Sequence, residues 1–307
     1  MALGGGTGLS VLLRGLRGYT DNLSAVVTVA DDGGSSGRLR KELSVLPPGD
    51  FRNCLVAMSD DESLVRDLFQ YRFDQGDGLQ GHSFGNLFIA AMTNVAGSFE
   101  RAIHESSRVL AVHGRVLPAT MENLSLSAYL EDGSIVHGES NIGEIVSPID
   151  RVMINPEDPD AYPQSVEDIK NAELIVIGPG SLYTSIIPNL LISEIRSSLR
   201  VSTAVKIYVC NVAIQRGETD GYSVADHLQA IRDHTSMDIV DYVLVNNVFQ
   251  HNDIDSDTTL VIDDKISDAN VRVIGADLVD SEQPFRHDSA KLAQSIIDMY
   301  YDNRKIV

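Results

Sequence analysis

The chain has 307 residues, 43% hydrophobic and 22% charged, the balance of an ordinary globular protein long enough for one large α/β domain or two smaller ones. Its formal net charge of −20 repels nucleic-acid backbones and acidic membranes, so neither is expected as a partner. No apolar run approaches a membrane span and no secretory signal opens the sequence, while Cys54 and Cys210 are too few for a disulfide framework; the expectation is a cytoplasmic protein without membrane insertion.

The first apolar run, Met1-Ala-Leu, stops at Gly4-Gly-Gly-Thr-Gly8, after which Leu9, Leu12, Leu13 and Leu16 recur at helical spacing. Glycines allow close backbone approach, and a helix N-terminus offers unpaired N–H groups and the positive end of its dipole. Gly5, Gly6, Thr7 and Gly8 therefore read as a phosphate cradle, with a merely tight turn as the competing reading. The dinucleotide fingerprint G-x-G-x-x-G is met only in part, since its last position falls on Leu9 or Val11, and the absence of Gly-Lys-Ser/Thr excludes a Walker A loop. Only three residues precede the glycines, where a buried strand uses about five, so either the strand is short or its start lies upstream.

Ala25–Ala30 is a continuous β-branched run, expected for a strand buried on both faces. It leads into Asp31-Asp-Gly-Gly-Ser-Ser-Gly-Arg38. Two carboxylates at the C-terminal end of a strand lie where open α/β sheets bind ligands. Asp31 or Asp32 can hold a ribose hydroxyl, a metal ion or a base edge, with Ser35 and Ser36 as hydroxyl donors and Arg38 as a cation; helix capping is the alternative. After Pro47-Pro-Gly, Asp50 is expected to cap a helix beginning near Phe51, placing Arg52 and Asn53 in a first turn that can face a ligand.

Ser63–Phe73 and Gly85–Val95 read as helices, and between them Gly81-His-Ser-Phe-Gly-Asn86 offers His82, Ser83 and Asn86 near a helix start. A lone histidine without a second ligand at metal spacing favours a structural role. Leu124–Gly138 alternates, turns at Glu131-Asp-Gly133 and returns, the pattern of a β-hairpin inserted in a βα-repeating chain; a structural or interface role leaves a homo-oligomer open. Helical Gln164–Asn171 precedes the buried strand Glu173–Ile177, which opens into Gly178-Pro-Gly-Ser-Leu-Tyr-Thr-Ser185 and a helix running to about Arg200. A second glycine loop ahead of a helix makes two cradles, two sides of one cleft or one for each phosphate of a diphosphate.

Ala204–Asn211 is a further strand, followed by Gln215 and Glu218; Ser223–His234 is a helix; Asp241–Asn247 is a strand ending in two amides. Thr259–Asp263 and Val271–Ile274 are shorter strand candidates, and Ser289–Tyr301 is an amphipathic helix. The alternation predicts an α/β fold, a three-layer α/β/α Rossmann-like sandwich with a mainly parallel sheet, and no composition break divides residues 1–307.

Five stretches in this order, Gly4–Ser10, Ala30–Arg38, Pro47–Asn53, Gly81–Asn86 and Gly178–Ser185, resemble the YvcK family of gluconeogenesis factors within the CofD-like superfamily, over nearly the whole chain. The resemblance implies a cytoplasmic bacterial protein needed for cell shape on gluconeogenic carbon sources, with UDP-sugars such as UDP-N-acetylglucosamine as ligands. The CofD branch implies instead a 2-phospho-L-lactate transferase using a metal ion, a guanylylated lactate donor and a deazaflavin acceptor. Carried over by position, Gly5, Gly6, Thr7 and Gly8 fall in the first loop; Asp31, Asp32, Ser35, Ser36 and Arg38 in the second motif; Asn53, His82 and Asn86 in the next two; Gly180, Ser181, Tyr183 and Thr184 in the second glycine loop. Where the family reads Asn-x-Met-Thr-Gln-Pro-Gly-Glu-Thr, this chain has Asn211-Val-Ala-Ile-Gln-Arg-Gly-Glu-Thr219, leaving Asn211 and Gln215 as candidates.

Three functions follow: a nucleotide-sugar-binding regulator without turnover, a CofD-type transferase with magnesium held by Asp31 or Asp32 against a diphosphate, and an NAD-type Rossmann enzyme. The incomplete fingerprint and the second glycine loop count against the third, and no nucleophile with its base, nor any deazaflavin signature, is evident for the second. Strand-edge amides, Asn211 or Asn246, are the expected readers of the base.

Overall fold

The structure, a computed structural model, describes residues 1–59, 63–144, 147–235, 239–248, 261 and 271–304. In chain order the elements are β1 (Ala2–Gly4), α1 (Gly6–Leu16), β2 (Ser24–Val27), α2 (Gly34–Leu43), α3 (Gly49–Met58), α4 (Ser63–Gln70), α5 (Phe84–Ala96), α6 (Phe99–Val109) and β3 (Arg115–Pro118). Then follow β4 (Ser125–Leu130), β5 (Ile135–His137), α7 (Glu139–Ile142), β6 (Ile149–Asn155), α8 (Pro163–Asn171) and β7 (Leu174–Ile177). A π-helical turn (Leu182–Ile186) leads to α9 (Ile187–Leu191), α10 (Ser193–Val201), β8 (Val205–Val209), α11 (Val224–Thr235), β9 (Tyr242–Asn246), β10 (Arg272–Ala276) and α12 (Ser289–Arg304).

Seven strands form one sheet in the order β10-β9-β8-β7-β1-β2-β3, every neighbouring pair parallel. Strand order reverses between β1 and β7, so the crevice above their C-terminal ends is the topological switch point of a Rossmann-like sheet. Right-handed crossovers place α1, α3 and α12, which pack together, on one face and α8 to α11 on the other. β1 is only three residues long, but it lies centrally, with Leu3 opposite Val26 on one side and Ile177 on the other. Both faces of β2 are buried, which is why its sequence runs apolar without alternation. Leu9, Leu12 and Leu13 of α1 are fully buried in the core shared by these layers.

The hairpin expected at Leu124–Gly138 is formed by β4 and β5, antiparallel, and β6 pairs with the other side of β4 to make a three-stranded sheet. Its alternation is physical: Leu126, Ala128 and Leu130 point into the core while Ser125 points to solvent.

Several expectations are corrected. The helix expected after the Gly178–Ser185 stretch and running to about Arg200 is broken: Ser181 caps a π turn, Pro188 opens α9 and Ile192 is extended before α10. Elements α6, β3 and β6 lie in stretches whose patterning was not read as regular. Asp50 does not cap its helix: α3 begins at Gly49 with Pro48 before it, and the carboxylate turns instead to the first glycine loop. The strand read at Thr259–Asp263 lies outside the described residues except for Val261, whose N–H donates to Val212 O at 3.0 Å.

Candidate functional site

The two glycine loops meet at the switch point. A Cβ added at Gly8 would stand 2.5 Å from the Pro179 carbonyl oxygen and 2.9 Å from the Gly180 nitrogen, so the absence of a side chain is what lets the loops touch. Gly6 takes φ +63°, where glycine alone is unstrained, and starts α1 directly. Between the loops opens a cleft of about 570 Å³, of the size that holds small ligands. Gly5, Gly6, Thr7, Gly8, Gly180, Ser181, Thr184, Asn211 and Gln215 all line it.

Each loop is held from behind. Asp50 accepts the Gly6 N–H, and a Cβ at Gly5 would meet Asp50 Oδ2 at 2.7 Å. Burial and the neighbouring Asp31 charge push Asp50 up to about 6, the Gly6 N–H opposing them. In the second loop Asn211 Oδ1 accepts from Gly180 N at 3.1 Å, and its Nδ2 donates to Gly180 O at 2.8 Å and Gln215 Oε1 at 3.1 Å. Ser181 Oγ donates to Glu218, which also accepts the Tyr183 N–H at 3.4 Å, and Thr184 N donates to Ser181 Oγ at 3.0 Å. Burial raises the Glu218 carboxyl above its usual range.

The second motif lies beside this cleft rather than among the residues lining it. Asp31 Oδ1 accepts from Gly33 N at 2.9 Å, its carboxylate also receives the Ser36 hydroxyl, and Asp32 Oδ1 accepts from Ser140 N at 2.9 Å. Neither carboxylate caps α2, whose N-cap is Gly33. Ser35 Oγ pairs with His82 Nδ1 at 2.9 Å, and burial lowers that imidazole's pKa. Ser36 Oγ accepts from Gly49 N at 3.1 Å and from Asn86 Nδ2 at 3.5 Å, while Asn86 Oδ1 is buried without a hydrogen-bond partner among the described residues. Arg52, read as facing a ligand, is buried against Ser83 and Asn53, and Arg38 donates to Gln80 O at 2.8 Å.

Two further expected residues lie off the cleft. Tyr183 is 2% exposed and its hydroxyl pairs with Tyr222 at 2.7 Å. Asn246 is 4% exposed, donating to Val248 O at 2.7 Å and accepting from Leu278 N at 3.2 Å. Asn211 lines the cleft, its amide hydrogens donated to Gly180 and Gln215.

The structure adds residues that carry no local motif. α7, which lies between β5 and β6 of the small sheet, brings half-buried Glu139 into the cleft, so the insertion contributes to the site as well as to packing. Burial, then the charges of Asp31, Asp50 and Asp32, push Glu139 up to about 8. Arg216 enters from the loop after β8, and Phe285, Arg286 and His287 from the segment ahead of α12. His287 is pushed down to about 4 by burial and lies 3.2 Å from Cys210 O through Nε2. Burial pushes the Cys54 thiol up, and neither cysteine lines the cleft.

Among the described residues no group of three His, Cys, Asp or Glu stands at metal-holding spacing. Magnesium needs only one or two protein carboxylates when phosphates and water complete its shell, so Asp31 and Asp32 fit that role only beside a phosphorylated ligand.

A Rossmann-like sheet with two glycine loops meeting at a cleft at its switch point defines the class: an α/β protein with a cleft at the C-terminal ends of its parallel strands. The chain belongs to the CofD family, whose model, described as 2-phospho-L-lactate transferase CofD, matches residues 1–279, and within it to the gluconeogenesis factors. It is 48% identical over 311 residues to the gluconeogenesis factor of Halalkalibacterium halodurans, covering 97% of this chain and 95% of that one. To the gluconeogenesis factor of Bacillus subtilis it is 47% identical over 304 residues, 96% of each chain. A crystal structure of a UPF0052 family member from Bacillus halodurans superposes with a TM-score of 0.89 at 49% identity, covering 96% of this chain and 97% of that chain. No helix among the described residues is long and apolar enough to cross a membrane.

Proposed function

We propose that this protein binds a nucleotide sugar of the UDP-N-acetylglucosamine type and acts as a regulator, without turnover, that links central carbon metabolism to cell-wall synthesis and cell shape during gluconeogenic growth. The observation that carries the binding reading is the contact between the two loops at Gly8 and Pro179–Gly180, which brings both glycine loops to the wall of one cleft. One loop serves each phosphate of a diphosphate. Asp31 or Asp32 then accepts ribose hydroxyls, as an acid does at the end of the second strand of such sheets, roughly 20 residues after the glycines. The names of the relatives support the metabolic half of the reading.

A second reading, a CofD-type transferase of phosphorus-containing groups, is favoured by one observation: three carboxylates, Asp31, Asp32 and Glu139, beside the cleft. A divalent cation held there would neutralise charge developing on a diphosphate leaving group. Calorimetric titration with UDP-N-acetylglucosamine and with GDP, each with and without magnesium, separates the two. Micromolar binding of the UDP-sugar with no product on incubation supports the regulator; silence there with magnesium-dependent GDP binding supports the transferase.

A further inference from the structure

Residues 78–99 hold no Asp, Glu, Lys or Arg, in a chain that is 22% charged. The comparable stretch 174–193 is charge-free because it is packed inside, as β7, the π turn and α9. Residues 78–99 are different. They centre on α5, which buries Asn86, Ile89 and Ala90 along one side and exposes the other, where Val95 is 84% exposed and Ala91 is also open to solvent. The outward face of a surface helix is ordinarily charged or polar; this one carries apolar side chains beside Asn94.

Two rows at i, i+4 spacing run along that side, Phe84-Phe88-Met92 and Leu87-Ala91-Val95. Rows of this spacing are the ridges that interdigitate when one helix crosses another of the same kind. The neighbouring helix extends the face: α4 packs on α5 through the Phe69 ring, 5.0 Å from that of Phe88, and exposes Leu64 and Leu68. By contrast, exposed Val109 and Val201 stand singly next to Arg108 and Arg200, as scattered surface apolar residues do.

Charge decides what covers this face. A basic partner would be drawn to carboxylates, which α5 lacks, and an acidic membrane is repelled by a chain of net charge −20. The same charge keeps two copies of the chain apart everywhere except over a surface free of acids. On the flanking helices the signs are mixed, Lys41 with Glu42 on α2 and Arg66 with Asp67, 3.8 Å apart, on α4, so neither helix repels a copy of itself. Charge resumes in the sequence ahead of α4, at Asp60, Asp61 and Glu62, and after it, at Arg72, Asp74 and Asp77. We propose that the α5 face, with Leu64 and Leu68 of α4, is a two-fold interface between copies of this chain, the ridges of one α5 lying in the grooves of the other. The proposal is independent of the ligand bound in the cleft.

The test is sedimentation of the full chain from about 1 to 100 µM, the range in which a dimer of ordinary affinity dissociates. The chain should pass from monomer to dimer across it. Ala91→Glu and Val95→Glu each enter a symmetric interface twice and should weaken the dimer by about tenfold or more. Both side chains are already exposed, so each variant should keep a folded monomer by circular dichroism. Val201→Glu, an exposed apolar residue on α10, should leave the dimer unchanged. Added salt should strengthen the association, because it screens the repulsion between two acidic chains and leaves apolar contact intact. A monomer at every concentration overturns the proposal. So does a dimer that withstands both α5 substitutions, that Val201→Glu weakens equally, or that salt dissociates.

Discussion

Asn211 grips Gly180 by both ends of its peptide unit, accepting from the nitrogen at 3.1 Å and donating to the oxygen at 2.8 Å. The side chain thereby does for the second glycine loop what a neighbouring strand would do, and fixes the loop's backbone before any ligand arrives. Asn211→Asp turns the donor into an acceptor facing the Gly180 carbonyl. The expected loss is about 1–3 kcal/mol, the scale of an unsatisfied buried group, felt as a lower melting temperature and at least tenfold weaker ligand binding. Thermal unfolding and calorimetry on the same sample check it.

Gly8→Ala should act differently from substitution at a glycine in open space. A Cβ at Gly8 meets backbone atoms of Pro179 and Gly180, which cannot swing away, whereas one at Gly133, at φ +85°, meets nothing within 4 Å. Gly8→Ala is expected to cost about 1–3 kcal/mol by overpacking and to abolish ligand binding. Gly133→Ala is expected to cost about 1 kcal/mol and to leave the affinity unchanged. Equal binding by the two variants would refute the contact between the loops.

Glu139 and Asp50 should each take stability away as pH rises. Glu139, at about 8 against 4.5, and Asp50, at about 6 against 3.8, both hold protons in the folded chain that they release in the unfolded one. Between those limits the native state binds more protons at these two groups, so their contribution falls as pH climbs through each folded value, by at most about 1.4 kcal/mol per unit for each group. His287 and the Met1 amino group, both lowered by burial, act in the opposite direction, so the readout is a difference between two proteins that share them. The melting temperature of Glu139→Gln relative to the unsubstituted protein should rise from pH 5 to 8, and a difference that does not change with pH would contradict the assignment.

Asp32→Asn separates the two functional readings. Under the transferase reading, this variant loses nucleoside-diphosphate binding in magnesium but keeps metal-free binding. Equal loss in both conditions points to the hydrogen bond with Ser140 N and the ribose contact instead.

Much of the architecture was readable because it is local. Buried parallel strands announce themselves as unbroken β-branched runs, and both cradles as glycines between a strand and a helix. Residues whose role depends on topology were not. Asp50 follows two prolines, which is what an N-cap looks like, and only the folded chain shows its carboxylate under Gly6. Glu139 follows a hairpin that reads as packing alone, yet the turn into α7 delivers it to the cleft. Phe285, Arg286 and His287 sit far along the chain without a glycine or a strand to flag them, and reach the cleft because α12 packs on α1. Asn246 stands at a strand end as its sequence position indicates, and its hydrogen bonds go to the backbone of Val248 and Leu278.

The walls of the cleft come from the beginning, the middle and the last part of the chain: Gly5–Gly8, Gly180–Glu218 and Phe285–His287. A molecule seated there works as a removable clasp between segments that share no covalent neighbours. At a hundredfold excess over its dissociation constant it adds about 2.7 kcal/mol to the folded state. Persistence of the fold under heat or proteolysis then becomes a gauge of how much of that molecule the surroundings contain.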